Sequence, residues 1–209
     1  MSTTQPFNQH FEKYERWFTD NKYVYQSELI AVRHFIPKKQ KGVEIGIGSG
    51  QFASPLKIKI GIDPSKSMIN LARQKGLNVS RAVAEKLPSK NDSFDFALMV
   101  TTVCFVDEID TSFKEAKRIL KQNGKFVVGL VDKHSPLGRL YLKKKQDNIF
   151  YRWATFYSTA EIILQLNKVG FKNLATVQTV FGNIKNIEHI QQFRHGYGEG
   201  GFVVIKAEK

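Results

Sequence analysis

The stretch KGVEIGIGSGQF, residues 41–52, decides the fold that this chain is expected to adopt. Its first half is a run of apolar residues around a single acid, which predicts a buried β-strand over residues 42–47. Gly46, Gly48 and Gly50 lie at the carboxyl end of that strand. Because glycine has no Cβ atom and readily takes positive φ, this spacing favours a loop whose backbone can approach a ligand closely.

Strands and helices alternate around this loop. The predicted strands cover residues 42–47, 58–63, 78–83, 94–102, 125–132, 174–181 and 200–209, and the predicted helices cover residues 7–20, 23–35, 65–76, 109–124 and 158–170. Such alternation is typical of a doubly wound α/β fold, here a Rossmann-like, seven-stranded, mostly parallel sheet with helices on both faces. The last two strands have no helix between them, so the final strand is predicted to run antiparallel.

Asp63 is the second feature that points to a ligand at this edge of the sheet. It ends the second predicted strand, in IGIDPS (60–65), where a carboxylate can accept hydrogen bonds from both hydroxyls of a ribose. A glycine loop followed by such an acid predicts a site for a nucleoside-containing cofactor. Gln51 stands where dinucleotide sites carry their third glycine, and the short connection to the second strand contains Pro55. Both features count against a nicotinamide or flavin dinucleotide.

Four segments, in order along the chain, resemble motifs of class I S-adenosylmethionine-dependent methyltransferases. They are VEIGIGSG (43–50), IGIDPS (60–65), AEKLPSKNDSFDFALM (84–99) and EAKRILKQNGKFVVG (115–129). The third is similar to a segment of the small-molecule, type 11-like branch, which includes quinone-biosynthesis enzymes. The resemblance implies that S-adenosylmethionine is the cofactor and that S-adenosylhomocysteine is the product formed from it.

The resemblance also implies cofactor contacts for the residues that match these motifs. They are Glu44, Gly46, Gly48, Gly50, Asp63, Pro64, Met68, Ala84, Glu85, Thr101 and Thr102. Asp63 is expected to hold the ribose hydroxyls, and Pro64 and Met68 to flank the adenine. Val83 departs from the family pattern, in which an aspartate that accepts from the adenine amino group is common.

The whole chain, residues 1–209, is predicted to form one methyltransferase domain. Its predicted parts are an N-terminal helical lid (1–40), a cofactor-binding core (41–132), a substrate-side lid insertion (133–157) and the C-terminal part of the sheet (158–209). Both lid segments are rich in aromatic residues, which suit an apolar or cationic substrate. Tyr14 and Trp17 are the residues expected to reach that substrate.

Methyl transfer from a sulfonium is an in-line displacement, in which alignment and exclusion of water can supply most of the acceleration. A general base is needed only where the nucleophile must lose a proton. Candidates for that role are Asp132 and His134, at the end of the fifth predicted strand and just after it, and Asp107 and Glu108, after the fourth. No two histidines have metal-ligand spacing, so no metal site is expected.

The chain carries a formal net charge of +13 that is spread over both halves and is mostly lysine. An even lysine excess is typical of a solvated surface, although the run at residues 143–145 would also suit nucleic acid. Cys104 is the single cysteine, so no internal disulfide can form. Together with the lack of a signal-peptide pattern, this predicts a reduced, cytoplasmic location without membrane association.

Three functions stay open at this point. The first is methyl transfer to a small-molecule acceptor at N, O or C. The second is methylation of RNA or another nucleic acid, which the charge favours; residues 101–104 read TTVC, however, and lack the Asn/Asp-Pro-Pro-aromatic motif of amino-methylating nucleic-acid enzymes. The third is a non-catalytic module that only binds S-adenosylmethionine, which the intact glycine loop disfavours. No sequence feature sets an oligomeric state.

Overall fold

The structure, a computed structural model, describes residues 4–209, so the first three residues of the predicted N-terminal lid lie outside the described residues. The helices are α1 (Gln5–Gln9), α2 (Phe11–Asp20), α3 (Lys22–Phe35), α4 (Lys66–Gln74), α5 (Ile109–Ile119), α6 (Pro136–Lys143) and α7 (Thr159–Val169). The strands are β1 (Gly42–Ile45), β2 (Ile60–Asp63), β3 (Asn78–Arg81), β4 (Phe94–Val100), β5 (Leu120–Val131), β6 (Lys172–Thr179), β7 (Arg194–His195) and β8 (Phe202–Glu208).

All eight strands form one sheet in the order β3-β2-β1-β4-β5-β8-β6-β7. Strands β3, β2, β1, β4 and β5 run parallel to one another. β8 lies antiparallel between β5 and β6. The predicted Rossmann-like fold, a mostly parallel sheet whose last strand is antiparallel, is therefore confirmed.

Helices cover both faces of the sheet, as predicted. Phe113 of α5 and Ile162 of α7 belong to the hydrophobic cluster on one face. Val32 of α3 and Ile69 of α4 belong to the cluster on the other face. Because both faces are covered, the central strands are buried along almost their whole length, which explains their near-continuous apolar sequences.

The sheet has one strand more than the seven predicted. β7 is two residues long and pairs antiparallel with β6, with Arg194 opposite Gln178 and His195 opposite Val177. Two residues cannot show the alternation on which a strand prediction depends, so the sequence pattern did not reveal this edge strand.

Two predicted helices end or break earlier than expected. α5 ends at Ile119 rather than at residue 124. Leu120 is extended, with φ −77° and ψ 140°, and its side chain is fully buried. The backbone N–H of Ser93 donates to the Ile119 carbonyl, so the chain is tied to the start of β4 instead of continuing as a helix. The predicted helix over residues 7–20 is interrupted at His10, between α1 and α2.

Strands β1 and β4 are neighbours, and the chain leaves β1 toward β2 on one side and returns to β4 on the other. In open α/β sheets the crevice at such a reversal, outside the carboxyl ends of the strands, is where ligands bind. The topology therefore brings the ends of β1, β2, β4 and β5 to one edge of the sheet.

Candidate functional site

The glycine loop after β1 is held in conformations that other residues rarely adopt. Gly46 has φ +71° and Gly48 has φ +55°. A Cβ atom on Gly46 would lie 2.2 Å from Oγ1 of Thr102, and one on Gly48 would lie 3.0 Å from the hydroxyl of Tyr14. Both positions therefore need glycine, because of backbone conformation and because of the close approach of a neighbouring side chain.

Gly50 is needed for close packing between the glycine loop and the residue before β3. It has φ +81°, and a Cβ atom at this position would lie 2.3 Å from Cδ1 of Leu77, the residue before β3. Leu77 is buried in the cluster on the α4 face of the sheet. The structure thus does not bring Gly50, one of the predicted cofactor contacts, to the cavity lining.

Asp63 joins the end of β2 to the glycine loop and to α4. Its Oδ2 accepts a hydrogen bond of 2.8 Å from the backbone N–H of Gly48, and its Oδ1 accepts one of 2.8 Å from that of Ser65. Burial raises the pKa of Asp63 to about 6, although these two donors act in the opposite direction. Since a carboxylate has about four acceptor positions, Asp63 can accept further hydrogen bonds from a ligand.

Glu44 lies in β1 behind the glycine loop and is 2% exposed. Among the described residues, no group donates a hydrogen bond to its Oε2 atom. Burial raises the pKa of Glu44 well above its usual value, and the nearby Asp63 adds to that shift. A buried acceptor without a donor is uncommon in proteins and is often explained by a ligand.

One cavity of about 280 Å³ lies over this edge of the sheet. The predicted site residues that line it are Gly46, Gly48, Asp63, Pro64, Met68, Ala84, Glu85, Thr101, Thr102, Tyr14 and Trp17. Met68 and Ala84 are buried and apolar and stand near Asp63, at the β2 end of the cavity. The structure therefore brings these predicted residues together around one cavity, and their contact with a cofactor stays a prediction.

The side chains of two predicted contacts are engaged with the protein itself. Oε1 of Glu85 accepts hydrogen bonds from the backbone N–H groups of Asp107 (2.8 Å) and Glu108 (3.3 Å). The Thr102 hydroxyl donates to the carbonyl oxygen of Gly46 at 3.2 Å or to that of Val100 at 3.0 Å. Glu85 and Thr102 thus shape the cavity wall by holding the loops that form it.

Asp132 and His134, two of the predicted candidates for a general base, do not line the cavity, and neither do Asp107 and Glu108. The two carboxylate oxygens of Asp132 accept from the backbone N–H groups of His134 and Thr159, each at 2.7 Å. Asp132 therefore connects the end of β5 to the start of α7. His134 is exposed.

The N-terminal helices are fastened over the cavity by polar contacts. Glu15 of α2 accepts hydrogen bonds from the hydroxyl of Ser49 and from Nε2 of Gln51 (2.9 Å), and it lies 3.4 Å from Nζ of Lys75. Asn8 of α1 accepts at 2.9 Å from the Ser65 hydroxyl at the start of α4. These contacts hold α2 against the glycine loop and α1 against the start of α4.

Aromatic rings fill the underside of this lid. Tyr14 forms edge-on contacts with Phe7, Phe18 and Phe150, at centroid distances of 5.9, 5.2 and 6.2 Å. Burial raises the pKa of the Tyr14 hydroxyl well above its usual range, and the nearby Asp63 adds to the effect. Tyr14 is therefore neutral and lies within the cavity, above Gly48.

Further cavity residues were not identified from the sequence. Lys13 of α2 and Asn148 both line the cavity, and Glu28 of α3 does so while being only 4% exposed. The signal for Glu28 was present, because it lies on the buried stripe of α3 between Val24 and Val32, where an apolar residue is expected. Burial raises the pKa of Glu28 to about 8.

Neither a metal site nor a membrane span emerges from residues 4–209. Within that part of the chain, no three histidine, cysteine, aspartate or glutamate side chains are grouped so that they could hold a metal ion. The described helices are also too short or too polar to cross a membrane.

Known proteins are similar to this chain in sequence and in structure. A family model described as a methyltransferase domain matches residues 43–128, which run from β1 into β5. A crystal structure from Thermotoga maritima, described as an S-adenosylmethionine-dependent methyltransferase and possible histamine N-methyltransferase, is 48% identical. The two structures superpose with a TM-score of 0.97 over 99% of this chain and 100% of that one.

Two curated relatives extend the comparison. An uncharacterized protein of Methanocaldococcus jannaschii is 44% identical over 203 residues, which are 97% of this chain and 98% of the relative. A ubiquinone/menaquinone biosynthesis C-methyltransferase of Rickettsia akari is 28% identical over 137 residues, which are 66% of this chain and 50% of the relative. The similarity to the first extends over the lid segments as well as the sheet.

Proposed function

Because the chain belongs to the family of S-adenosylmethionine-dependent methyltransferases, we propose that it transfers a methyl group from this cofactor to a small-molecule acceptor. The observation that carries the proposal is one cavity with two different ends. The glycine loop and Asp63 form one end, and an aromatic chamber under the lid helices forms the other.

The first end suits S-adenosylmethionine, the cofactor of the family. Asp63 has acceptor positions left for the ribose hydroxyls, and the apolar side chains of Met68 and Ala84 offer surfaces for the adenine. The backbone at Gly48 lines the cavity beside the Tyr14 hydroxyl. Glu44, a further predicted cofactor contact, does not line the cavity and supports the glycine loop from β1 behind it.

When bound, S-adenosylmethionine would supply an activated methyl group on a sulfonium. The residues of this chain align the acceptor and exclude water. Tyr14 and Trp17 contribute to that role from α2, because both line the cavity under the lid. The proposal assigns no general base, since the four predicted candidates lie outside the lining.

We assign the binding of the cofactor and the binding of the acceptor to different segments of the chain. Residues 41–132 hold the cofactor, while residues 1–40 and 133–157 cover the acceptor. Phe150 and Tyr151 of the second cover segment line the same cavity as Tyr14 of the first. The description of the Thermotoga relative as a possible histamine N-methyltransferase also supports an acceptor of small size.

The lining favours a small molecule over a nucleic acid. Among the described lining residues, Lys13 is the single lysine or arginine, against the three acids Glu28, Asp63 and Glu85. Phosphate groups require the opposite balance, because binding to nucleic acid depends on lysine and arginine. Lys143 and Lys144, in the densest lysine run, are exposed and do not line the cavity.

Calorimetric titration with S-adenosylmethionine, S-adenosylhomocysteine and NAD tests the cofactor end. We expect the first two to bind in the micromolar range and NAD not to bind. Transfer of labelled methyl groups into separated small-molecule and RNA fractions of a cell extract then tests the acceptor. Label in the RNA fraction alone would contradict the proposal, and cofactor binding without transfer into either fraction would favour the non-catalytic module.

A further inference from the structure

Glu28 is a buried acid that faces a cavity and has no hydrogen-bond or ion-pair partner among residues 4–209. It lies on α3, is 4% exposed and lines the cavity. No hydrogen bond or ion pair from residues 4–209 reaches its carboxylate, and burial is the one cause of its raised pKa. Because it is costly to remove a carboxylate from water without a partner, a nearly buried carboxyl group that faces a cavity favours a ligand that supplies that partner.

The surroundings of Glu28 are aromatic. Trp17 and Phe18 of α2, Tyr141 of α6 and Tyr151 line the same cavity. The rings of Tyr141 and Tyr151 stack at a centroid distance of 5.1 Å and an angle of 26°. Burial raises the pKa of both tyrosine hydroxyls, and the nearby Glu28 adds to both shifts, which places its carboxyl group close to this wall. Aromatic faces beside a carboxylate attract a cation through two additive effects.

The other acids of the lining each accept hydrogen bonds from backbone N–H groups, and Asp63 is in addition assigned to the ribose hydroxyls of the cofactor. Asp63 accepts from the backbone of Gly48 and Ser65, and Glu85 accepts from that of Asp107 and Glu108. Lys13 is exposed, and it does not pair with Glu28. Glu28 is therefore the acid in this part of the chain that is free to bind a positively charged group.

The sheet order separates Glu28 from the proposed cofactor contacts. Asp63 ends β2, and the helix that follows it, α4, packs on β2 and β3. Glu28 belongs to α3, which packs on β5, β6 and β8, on the opposite side of β1 and β4. The cofactor end and the Glu28 end thus lie on opposite sides of the glycine loop.

We propose that the methyl acceptor is a small organic amine, and that its protonated nitrogen pairs with Glu28 against the wall formed by Trp17, Tyr141 and Tyr151. Because a protonated nitrogen has no lone pair, this ammonium group serves recognition, and the methyl group goes to another, unprotonated atom of the acceptor. This inference rests on the proposed function, because it names the class of acceptor for the same cavity. It goes further in assigning one side chain to the recognition of charge.

The test compares amines with neutral molecules of the same shape. Phenethylamine, tyramine and cyclohexylamine are titrated by calorimetry into protein saturated with S-adenosylhomocysteine, next to 2-phenylethanol, tyrosol and cyclohexanol. We expect at least one amine to bind about tenfold more tightly than its alcohol, as a charge-assisted hydrogen bond in a buried site allows. The preference should fall below about threefold in Glu28→Gln.

Two further variants keep the test interpretable. Glu28→Asp retains the charge and should retain part of the preference. Glu12→Gln makes the same chemical change at an exposed position of α2 outside this cavity and should behave as the wild type. The inference is overturned if no amine exceeds its alcohol in protein that binds S-adenosylhomocysteine, or if the preference survives in Glu28→Gln. Protein that does not bind S-adenosylhomocysteine would instead overturn the proposed function.

Discussion

The backbone N–H of Gly48 donates a 2.8 Å hydrogen bond to Oδ2 of Asp63, so the acid that ends β2 holds the glycine loop that follows β1. The two motifs are 15 residues apart in sequence and become one unit in the fold. A change at Asp63 should therefore affect both the loop and any ligand bound to it.

Asp63→Asn should weaken S-adenosylmethionine binding by roughly 1–3 kcal/mol, the scale of a lost hydrogen bond to a charged group. The amide has one acceptor oxygen where the carboxylate has two, so its NH₂ group faces one of the two backbone N–H donors. Calorimetry measures the loss. Binding to the wild type should also weaken as the pH falls through about 6, where Asp63 becomes protonated, and the variant should lack that dependence.

Asp95→Asn is the matched control for this change. Asp95 lies at the start of β4, accepts from the backbone N–H of Lys41 and from Nζ of Lys121, and does not line the cavity. Its substitution should leave cofactor affinity unchanged. Equal affinities for wild type and Asp63→Asn would show that Asp63 supports the loop without binding the ribose.

Gly46→Ala should destabilise the protein more than Gly76→Ala does. Both glycines have nearly the same positive φ, +71° and +75°, but a Cβ atom on Gly76 meets nothing within 4 Å, whereas one on Gly46 meets Thr102. The backbone conformation alone costs about 1 kcal/mol in each variant. The collision should add about 1–3 kcal/mol at Gly46.

Urea denaturation of the two alanine variants measures this difference directly. Calorimetry on the same samples should show weaker cofactor binding for Gly46→Ala, because Thr102 lines the cavity and must move. If both variants unfolded at the same urea concentration, the close packing of Gly46 on Thr102 would not be a determinant of stability.

The sequence predicted the parallel part of the sheet well, because buried strands and their glycine and acid signals are local features. Gly48 and Asp63 could be identified for the same reason. The two-residue strand β7 and the lid contact between Glu15 and Ser49 depend on segments that meet only in three dimensions. Glu28 was missed because an isolated acid in an amphipathic helix is usually exposed.

Gly50 and Asp132, in contrast, were predicted as site residues and do not line the cavity. Gly50 was predicted to contact the cofactor and Asp132 was a candidate general base, and the structure engages both with the protein itself. Gly50 accommodates Leu77, and Asp132 accepts from two backbone N–H groups. A pattern can place a residue at the right edge of a sheet, but the neighbours that the residue meets there come from distant segments.

Glu15→Gln should loosen the lid. The carboxylate of Glu15 is held by Ser49, Gln51 and Lys75, which are parts of the glycine loop and of the turn after α4. The amide loses the ion pair with Lys75 and one acceptor position, so we expect dissociation of S-adenosylhomocysteine to become several-fold faster, corresponding to about 1 kcal/mol for a half-exposed pair. Stopped-flow fluorescence measures the rate. Glu12→Gln, on the same helix, is the control, and equal dissociation rates would show that Glu15 does not hold the lid closed.

Trp17→Ala should raise the KM for the acceptor while leaving cofactor affinity nearly unchanged. Trp17 lines the cavity from α2 and packs edge-on against Phe18 at 5.2 Å. Its loss removes part of the acceptor wall and none of the contacts around Asp63. Trp153→Ala is the control, because Trp153 is 66% exposed. A variant with lower stability but unchanged KM would show that Trp17 only packs the lid.

Glu28 should make the stability of the free protein depend on pH. Its pKa rises from the usual 4.5 to about 8 on folding, and burial is the cause. The folded state then binds a proton that the unfolded state has released, so stability falls as the pH rises from about 4.5 to about 8. Tyr25, Tyr141 and Tyr151, which interact with Glu28, also have raised pKa values and stay neutral over this range.

Glu28→Gln removes this dependence, since the amide has no proton to lose. Relative to the wild type, the variant should gain stability between pH 5 and pH 8.5, by up to the order of 3–5 kcal/mol. Urea denaturation of both proteins across that range measures the difference, and the contributions of Asp63 and Glu44 cancel because both proteins contain them. If the free energies of unfolding of the two proteins differed by the same amount at every pH, Glu28 would ionise freely in the folded protein. Its burial would then not favour a cationic ligand.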